Sequence, residues 1–219
     1  LSIVRRQTMK RQYKKSEKSK RMILDAARKL AEEKGFEKMS VQDIVKESGL
    51  SVGAFYHHFT GKDEVLNESF LQFDNQLTEE AYERYDRMPA LEALQTILVD
   101  QALFTESIGV LLMQDYYRVL LQRNYLNAVS PEREYYKAVK RYVRRSQEAG
   151  SIDISLKEKA IAEYLIQCVR GAIFDWCLHN GIYSVSDKVK SEMEFYLRPF
   201  LTSKEKKGRG VIKSEIKRL

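Results

Sequence analysis

The sequence predicts an all-α fold of about nine helices, and three observations carry that prediction. Apolar residues recur at intervals of three and four along most of the chain. Turn punctuation is sparse, with 10 Gly and 3 Pro in 219 residues, and no two-residue hairpin turn stands between alternating strands. An apolar share of 43% supplies a core. No apolar run approaches the roughly 18 to 20 residues of a membrane span, so a soluble protein with no membrane partner is expected.

Each element follows from its own signals. Helix one is expected over about 17–34, with Ser16 as N-cap, a stripe of Met22, Ile23, Ala26, Ala27 and Leu30, and Gly35 as the stop. A second helix begins after Ser40, where Ser40 and Asp43 form a capping box, and ends at Gly49. A very short third follows Ser51 over Val52–His58, and Gly61 separates it from a long helix over about 62–85. Pro89 sits in the first turn of a helix to about Glu106, and 107–123 forms the next. Ser130, Pro131 and Glu132 open a helix that Gly150 closes. Ser155 and Glu158 read as a full capping box for a helix to about Asn180, and Ser186 caps the last one, to about Leu201.

Charge is spread unevenly. Residues 1–62 carry 15 Lys and Arg against 7 Asp and Glu, residues 63–202 carry 16 against 22, and residues 203–219 carry 7 against 2. A basic first quarter on an acidic body is the asymmetry expected where one end meets a polyanion, nucleic acid or an anionic membrane surface. The N-terminus lacks the apolar stretch of about 7 to 15 residues that marks a secretory signal, which argues against export. The chain opens on Leu1, and Met9 is a candidate initiator. Cys168 and Cys177 fall on opposite faces of one expected helix and read as reduced thiols, so a cytoplasmic location is expected.

Two short helices joined by a tight turn at Gly49 form a helix-turn-helix pattern. Ile44, Leu50, Phe55 and Phe59 are placed to pack back onto helix one, which leaves Val52, Gly53, Ala54, Tyr56 and His57 outside. Such a face suits the major groove of double-stranded DNA. Gly53 and Ala54 permit close approach, Val52 and Ala54 can touch thymine methyls, and Tyr56 and His57 can donate to phosphate oxygens. Few of these side chains read bases by paired hydrogen bonds, so Gln42 and a flexible basic arm carrying Lys10, Arg11, Lys14, Lys15, Lys18, Lys20 and Arg21 are expected to contribute.

The residues Gly35, Phe36, Ser40, Ile44, Val45, the run from Gly49 through Phe59, Lys62 and Leu66 resemble the DNA-binding domain of TetR-family transcriptional regulators, over about 50 residues. Ser40 stands where Thr is usual and Val45 where Ala is usual, and both keep the role. The resemblance implies that Ser40, Tyr56, His57 and Lys62 hold phosphates while Val52, Gly53 and Ala54 face bases, with Ser51 and Gln42 on the same surface. It also implies that the later helices form a ligand pocket and a dimer interface. The chain then divides into a basic arm (1–15), a DNA-binding domain (16–61), a helical body (62–202) and a basic tail (203–219).

In the body, Ile161, Leu165, Cys168, Ala172 and Trp176 make one stripe and Met193, Phe195, Tyr196, Leu197 and Phe200 another, and both are expected at a homodimer interface. Phe104, Tyr116, Tyr117, Phe174 and Trp176 are the aromatic candidates for a ligand pocket, and Arg170 and Asp175 the polar ones. No nucleophile elbow, phosphate loop or dinucleotide fingerprint occurs, and His57 and His58 lack the company a metal site requires, so no enzyme activity, metal or cofactor is expected. The leading expectation is a homodimeric repressor on a palindromic operator, released by an unidentified small-molecule effector. The alternative is a DNA-binding structural protein of the same fold with no such switch.

Overall fold

The computed structural model describes residues 2–208, with side chains over 15–206. Among the described residues the regular structure is helical apart from one isolated bridge between Ile152 and Leu201. The chain forms two compact units. The first takes the chain through Gln72 and again over Leu111–Ala128, and the second takes Phe73–Val110 and the chain from Val129 onward.

In the first unit, α1 (Ser2–Lys34), α2 (Val41–Ser48), α3 (Val52–His58), α4 (Lys62–Leu71) and most of α7 (Val110–Arg123) pack together. The stripe of α1 is buried at Ile23, Ala26, Ala27 and Leu30, whereas Met22 is exposed and Leu24 and Ala31 take part instead. This helix begins well before the expected Glu17, and Ser16 lies inside it rather than capping it. Residues 2–15 hold neither Gly nor Pro and are rich in Lys, Arg and Gln, which favour helix. The expected arm is therefore helical, continuous with α1. The helix α4, expected to belong to the body, is part of this first unit.

The second unit holds a 3-10 turn at Asp74–Gln76, α5 (Glu79–Asp86), α6 (Ala90–Ile108), α8 (Glu134–Glu148), α9 (Glu158–Leu178), α10 (Val185–Leu197) and α11 (Ser203–Gly208). At its centre α6 packs against α8, α9 and α10 through Ala93, Leu94, Ile97, Leu98 and Ala102, all fully buried. The single long helix expected over 62–85 is broken, because Phe73 and Leu77 both turn into the core and the Thr78 hydroxyl accepts from the Ala81 N–H to start α5 afresh.

Several caps differ from the expectation. Pro89 is the N-cap of α6, and Gly109, at φ +89°, ends that helix after Ile108, so Ser107 starts nothing. The α8 helix starts at Glu134 behind Arg133, while Ser130 accepts from the Glu132 N–H in the preceding turn. Ser155 gives its hydroxyl proton to Asp153 at 2.8 Å, and Lys157 takes the N-cap of α9. Ser184 caps α10, whereas Ser186 is buried and donates to Glu106 at 2.5 Å. Beyond Gly208, the expected basic tail lies outside the described residues.

Candidate functional site

The helix-turn-helix is built from short-range bonds. The Ser40 hydroxyl oxygen accepts from the Asp43 N–H at 3.2 Å, and Asp43 Oδ2 accepts from the Ser40 N–H at 2.8 Å and from its hydroxyl at 2.7 Å. Lys34 stands 2.8 Å from the same carboxylate. The Lys34 contact, followed by the Ser40 bonds, holds Asp43 well below the usual carboxylate range. Gly49 turns the chain at φ +66°, a left-handed conformation that a Cβ would disfavour. The Ser51 hydroxyl oxygen then accepts from the Ala54 N–H at 3.1 Å, setting the first turn of α3.

Burial of Ile44, Phe55 and Phe59 orients this pair of helices, and the rings of Phe55 and Phe59 lie 5.9 Å apart. Leu50, expected beside them, is only half-buried. With Phe55 inside, α3 presents Val52 (51% exposed), Gly53, Tyr56 (57% exposed) and His57 outward, with Ala54 half-buried between them. The edge of the Phe55 ring supports Tyr56 at 5.3 Å. Among the described residues the Ser51 hydroxyl only accepts, so its proton can still go to a phosphate. Gln42 is exposed in the first turn of α2. His58, the neighbour of His57, is half-buried, and burial lowers its pKa, with the charges of His57 and Lys20 acting in the same direction.

Two residues expected to hold phosphates spend their protons within the fold. Lys62 donates to the carbonyl oxygens of Phe36, Glu37 and Met39 at 3.0, 3.1 and 3.0 Å, which uses all three ammonium protons inside the fold. The single hydroxyl proton of Ser40 goes to Asp43. Charge on α1 is partly compensated too, since Lys20, Lys29 and Lys34 pair with Glu68, Glu47 and Asp43. Lys15, Lys18, Arg21 and Arg28 remain exposed on that helix, and Lys46 on α2.

Residues 23–68, from the core stripe of α1 through most of α4, match the model of bacterial regulatory proteins of the tetR family. Over this stretch the chain is similar to regulators of the TetR family. The HTH-type transcriptional regulator PksA of Bacillus subtilis is 32% identical over 84 residues, covering 37% of this chain and 41% of that one. The HTH-type transcriptional regulator UidR of Escherichia coli is 40% identical over 50 residues, covering 23% and 26%. The chain thus spans less than half the length of these curated relatives. Among solved structures, the TetR-family repressor FadR of Thermus thermophilus, in complex with lauroyl-CoA, shares the fold with a TM-score of 0.65 at 17% identity, over 84% of this chain and 95% of that one. FadR of Bacillus subtilis, in complex with stearoyl-CoA, has a TM-score of 0.58 at 18% identity, over 80% and 96%.

The residues expected to bind ligand are not brought together in one place. Tyr116 and Tyr117 belong to the first unit, where Tyr116 is buried and stacks on Phe70 at 4.3 Å, with Tyr117 edge-on to it. In the second unit the face Ile161, Leu165, Val169, Ala172, Ile173 and Trp176 of α9 turns inward, which sends Phe174 outward. Trp176 donates from its indole N–H to the Tyr183 carbonyl at 2.8 Å, and Asp175 accepts from the Tyr183 hydroxyl at 2.7 Å. Arg170 is half-buried, near enough to Tyr135 for its charge to act on that buried phenol. Of the seven, Phe104 alone lines the cavity of about 550 Å³ in the second unit, with Phe73, Leu77, Tyr85 and Leu103. Its polar wall, Arg84 and Asp100, was not anticipated. A signal existed, since Asp100 is a charged residue within the mostly apolar stretch 97–104 of α6, the same feature that singled out Arg170 and Asp175 on α9.

Proposed function

We propose that the protein is a transcriptional repressor that binds a palindromic operator as a homodimer and leaves it when a small-molecule effector occupies its helical body. The observation that carries this reading is the outward face of α3, where Val52, Gly53, Tyr56 and His57 are exposed on a helix whose only fully buried side chain is Phe55. Such a surface leaves most of its side-chain area unused by the fold and suits a major-groove probe.

Dimerisation is supported on the two helices expected to carry it, α9 and α10, although of the expected residues that follow only Phe195 is exposed. Ile161, Leu165, Ala172, Trp176, Met193 and Leu197 fill the core of the second unit, while Tyr164, Phe174 and Leu178 on α9 and Phe195 on α10 are exposed. Tyr164, Gly171, Phe174 and Leu178 follow one another at helical spacing, and nothing lies within 4 Å of where a Gly171 Cβ would stand. A contiguous apolar face of this kind suits a twofold contact with a second copy. The cavity in the second unit supports an effector, and the complexes of the two FadR proteins with lauroyl-CoA and stearoyl-CoA support small-molecule binding by proteins of this fold. An effector shifts the equilibrium only through its differential affinity, so it binds the DNA-incompetent form more tightly.

Mapping of bound sites across the source genome, followed by footprinting of the strongest, tests the reading. The expected result is a symmetric site whose half-sites lie on one face of the duplex. Binding with no preference over competitor DNA overturns it.

A further inference from the structure

We infer that the cavity of the second unit is a site for a small apolar molecule with a planar cationic head, a guanidinium or amidinium, and that Arg84 fills the head position when the ligand is absent. The inference deepens the proposed effector response and rests on that reading for its regulatory meaning.

The cavity of about 550 Å³ falls within the range of roughly 300 to 1,000 Å³ typical of small-molecule pockets. Phe73, Leu77, Leu103 and Phe104 supply an apolar wall for the body of a ligand, and Leu103 is half-exposed at its mouth. The head position is already marked by a cation. The Arg84 guanidinium lies over the Tyr85 ring, 4.6 Å from its centroid, and its Nη2 is 2.6 Å from Asp100 Oδ2. Tyr85 is itself buried and donates its hydroxyl to the same carboxylate oxygen at 2.6 Å. The ring and the acceptor are therefore held by the fold, whereas the Arg84 side chain is 57% exposed against 22% for Asp100. An exposed ion pair of this kind gains little from its own contact, because the arginine regains water when it swings away.

A ligand guanidinium can take over both interactions. Its face stacks on the Tyr85 ring, and its fork meets a carboxylate on which Oδ1 accepts no hydrogen bond among the described residues. Its apolar body gains the cavity wall, which the arginine stem does not fill. The sign of the charge is set by the lining, where Glu80 and Asp100 stand against Arg84. An anionic head meets an excess of carboxylates there, and a neutral head leaves Asp100 with the partner it already has.

Calorimetric titration of the full chain with octylguanidinium, octanoate and octanol, each below its micelle concentration, separates the three heads on one tail. Octylguanidinium is expected to saturate one site per chain, with the other two at least about tenfold weaker. Arg84→Ala removes the internal competitor and should tighten octylguanidinium several-fold. Asp100→Asn should weaken it about tenfold or more. A merely structural role for Arg84 predicts the opposite sign for its variant, so the inference stands on Arg84→Ala even where Asp100→Asn folds poorly. Octanoate binding as tightly, no saturation by octylguanidinium, or weaker binding in Arg84→Ala overturns the inference. Release from operator DNA is read separately: saturable binding without release overturns the effector reading while the site stands, and absence of binding overturns the site.

Discussion

The ammonium of Lys62, at the first turn of α4, donates to the carbonyl oxygen of Met39 at 3.0 Å, across the turn that joins α1 to α2. With the Phe36 and Glu37 carbonyls as its other acceptors and the Phe36 ring 4.7 Å away, this lysine closes the first unit from within. One side chain thus donates to three backbone carbonyls of the turn, of which that of Phe36 also accepts from the Met39 N–H at 3.2 Å. Lys62→Met should therefore lower stability by about 1 to 3 kcal/mol, the usual range for hydrogen bonds to a charged group. Denaturant titration reads the loss. At a temperature where the variant is fully folded, operator affinity should stay within about twofold of wild type, because the ammonium has no proton left for a phosphate. An unchanged midpoint with much weaker DNA binding would refute this role.

Tyr56 behaves in the opposite way. Its ring rests on the edge of Phe55 while its hydroxyl points to solvent and makes no hydrogen bond among the described residues. Tyr56→Phe should leave the melting temperature where it is and weaken binding by a similar factor on all operators, as removal of a phosphate contact does. Equal affinity in variant and wild type would remove Tyr56 from the interface.

The Asp43 carboxylate makes the first unit sensitive to acid. Lys34 and Ser40 lower its pKa in the folded state, so the unfolded chain binds the proton more readily. The stabilisation is complete above the unfolded value of about 3.9 and is lost as pH falls below it toward the folded value. Asp43→Asn should lower the melting temperature at pH 7 and flatten its decline below about pH 4. Parallel melting curves against pH in the two proteins would count against the Lys34 and Ser40 contacts.

Leu178 lies 65% exposed at the end of α9, on the face it shares with Tyr164 and Phe174. A charge placed there would be buried without a partner in a twofold contact. Sedimentation should give about twice the chain mass of 25.6 kDa for wild type and the single-chain mass for Leu178→Glu. A wild type that sediments at the single-chain mass rules out the dimer.

Residues 2–15 form the first turns of α1 and carry Arg5, Arg6, Lys10, Arg11, Lys14 and Lys15. Removing them takes away charge and leaves the helix-turn-helix whole. Affinity should fall, and the slope of log affinity against log salt should become shallower by about 0.9 for each phosphate that is no longer neutralised. Superimposable slopes would mean that this segment touches no phosphate.

What could be read from the sequence is what is decided within a few residues. The Ser40 and Asp43 box, the left-handed turn at Gly49, the Ser51 cap and the inward Phe55 are each set by groups no more than four positions apart, or by one helical period. The same locality made the all-α class legible, because helix periodicity and its stop signals repeat along the chain. The sites of Lys62 and Ser186 were not local. One depends on carbonyls some 25 residues earlier and the other on Glu106, 80 residues away, and no periodicity encodes such a distance.

Helix α9 shows the same division in another form. It is apolar on more than one side, so composition alone left open whether Trp176 or Phe174 would point inward. Packing against α8, α6 and α10 chose the Trp176 side and left Phe174 for another surface. The pairing of Tyr85 and Arg84 with Asp100 was decided likewise, when the break at Leu77 let α5 fold back on α6. A helix states which residues share a face. Only the neighbours it packs against determine where that face looks, because burial energy belongs to the contact between two surfaces and not to either one alone.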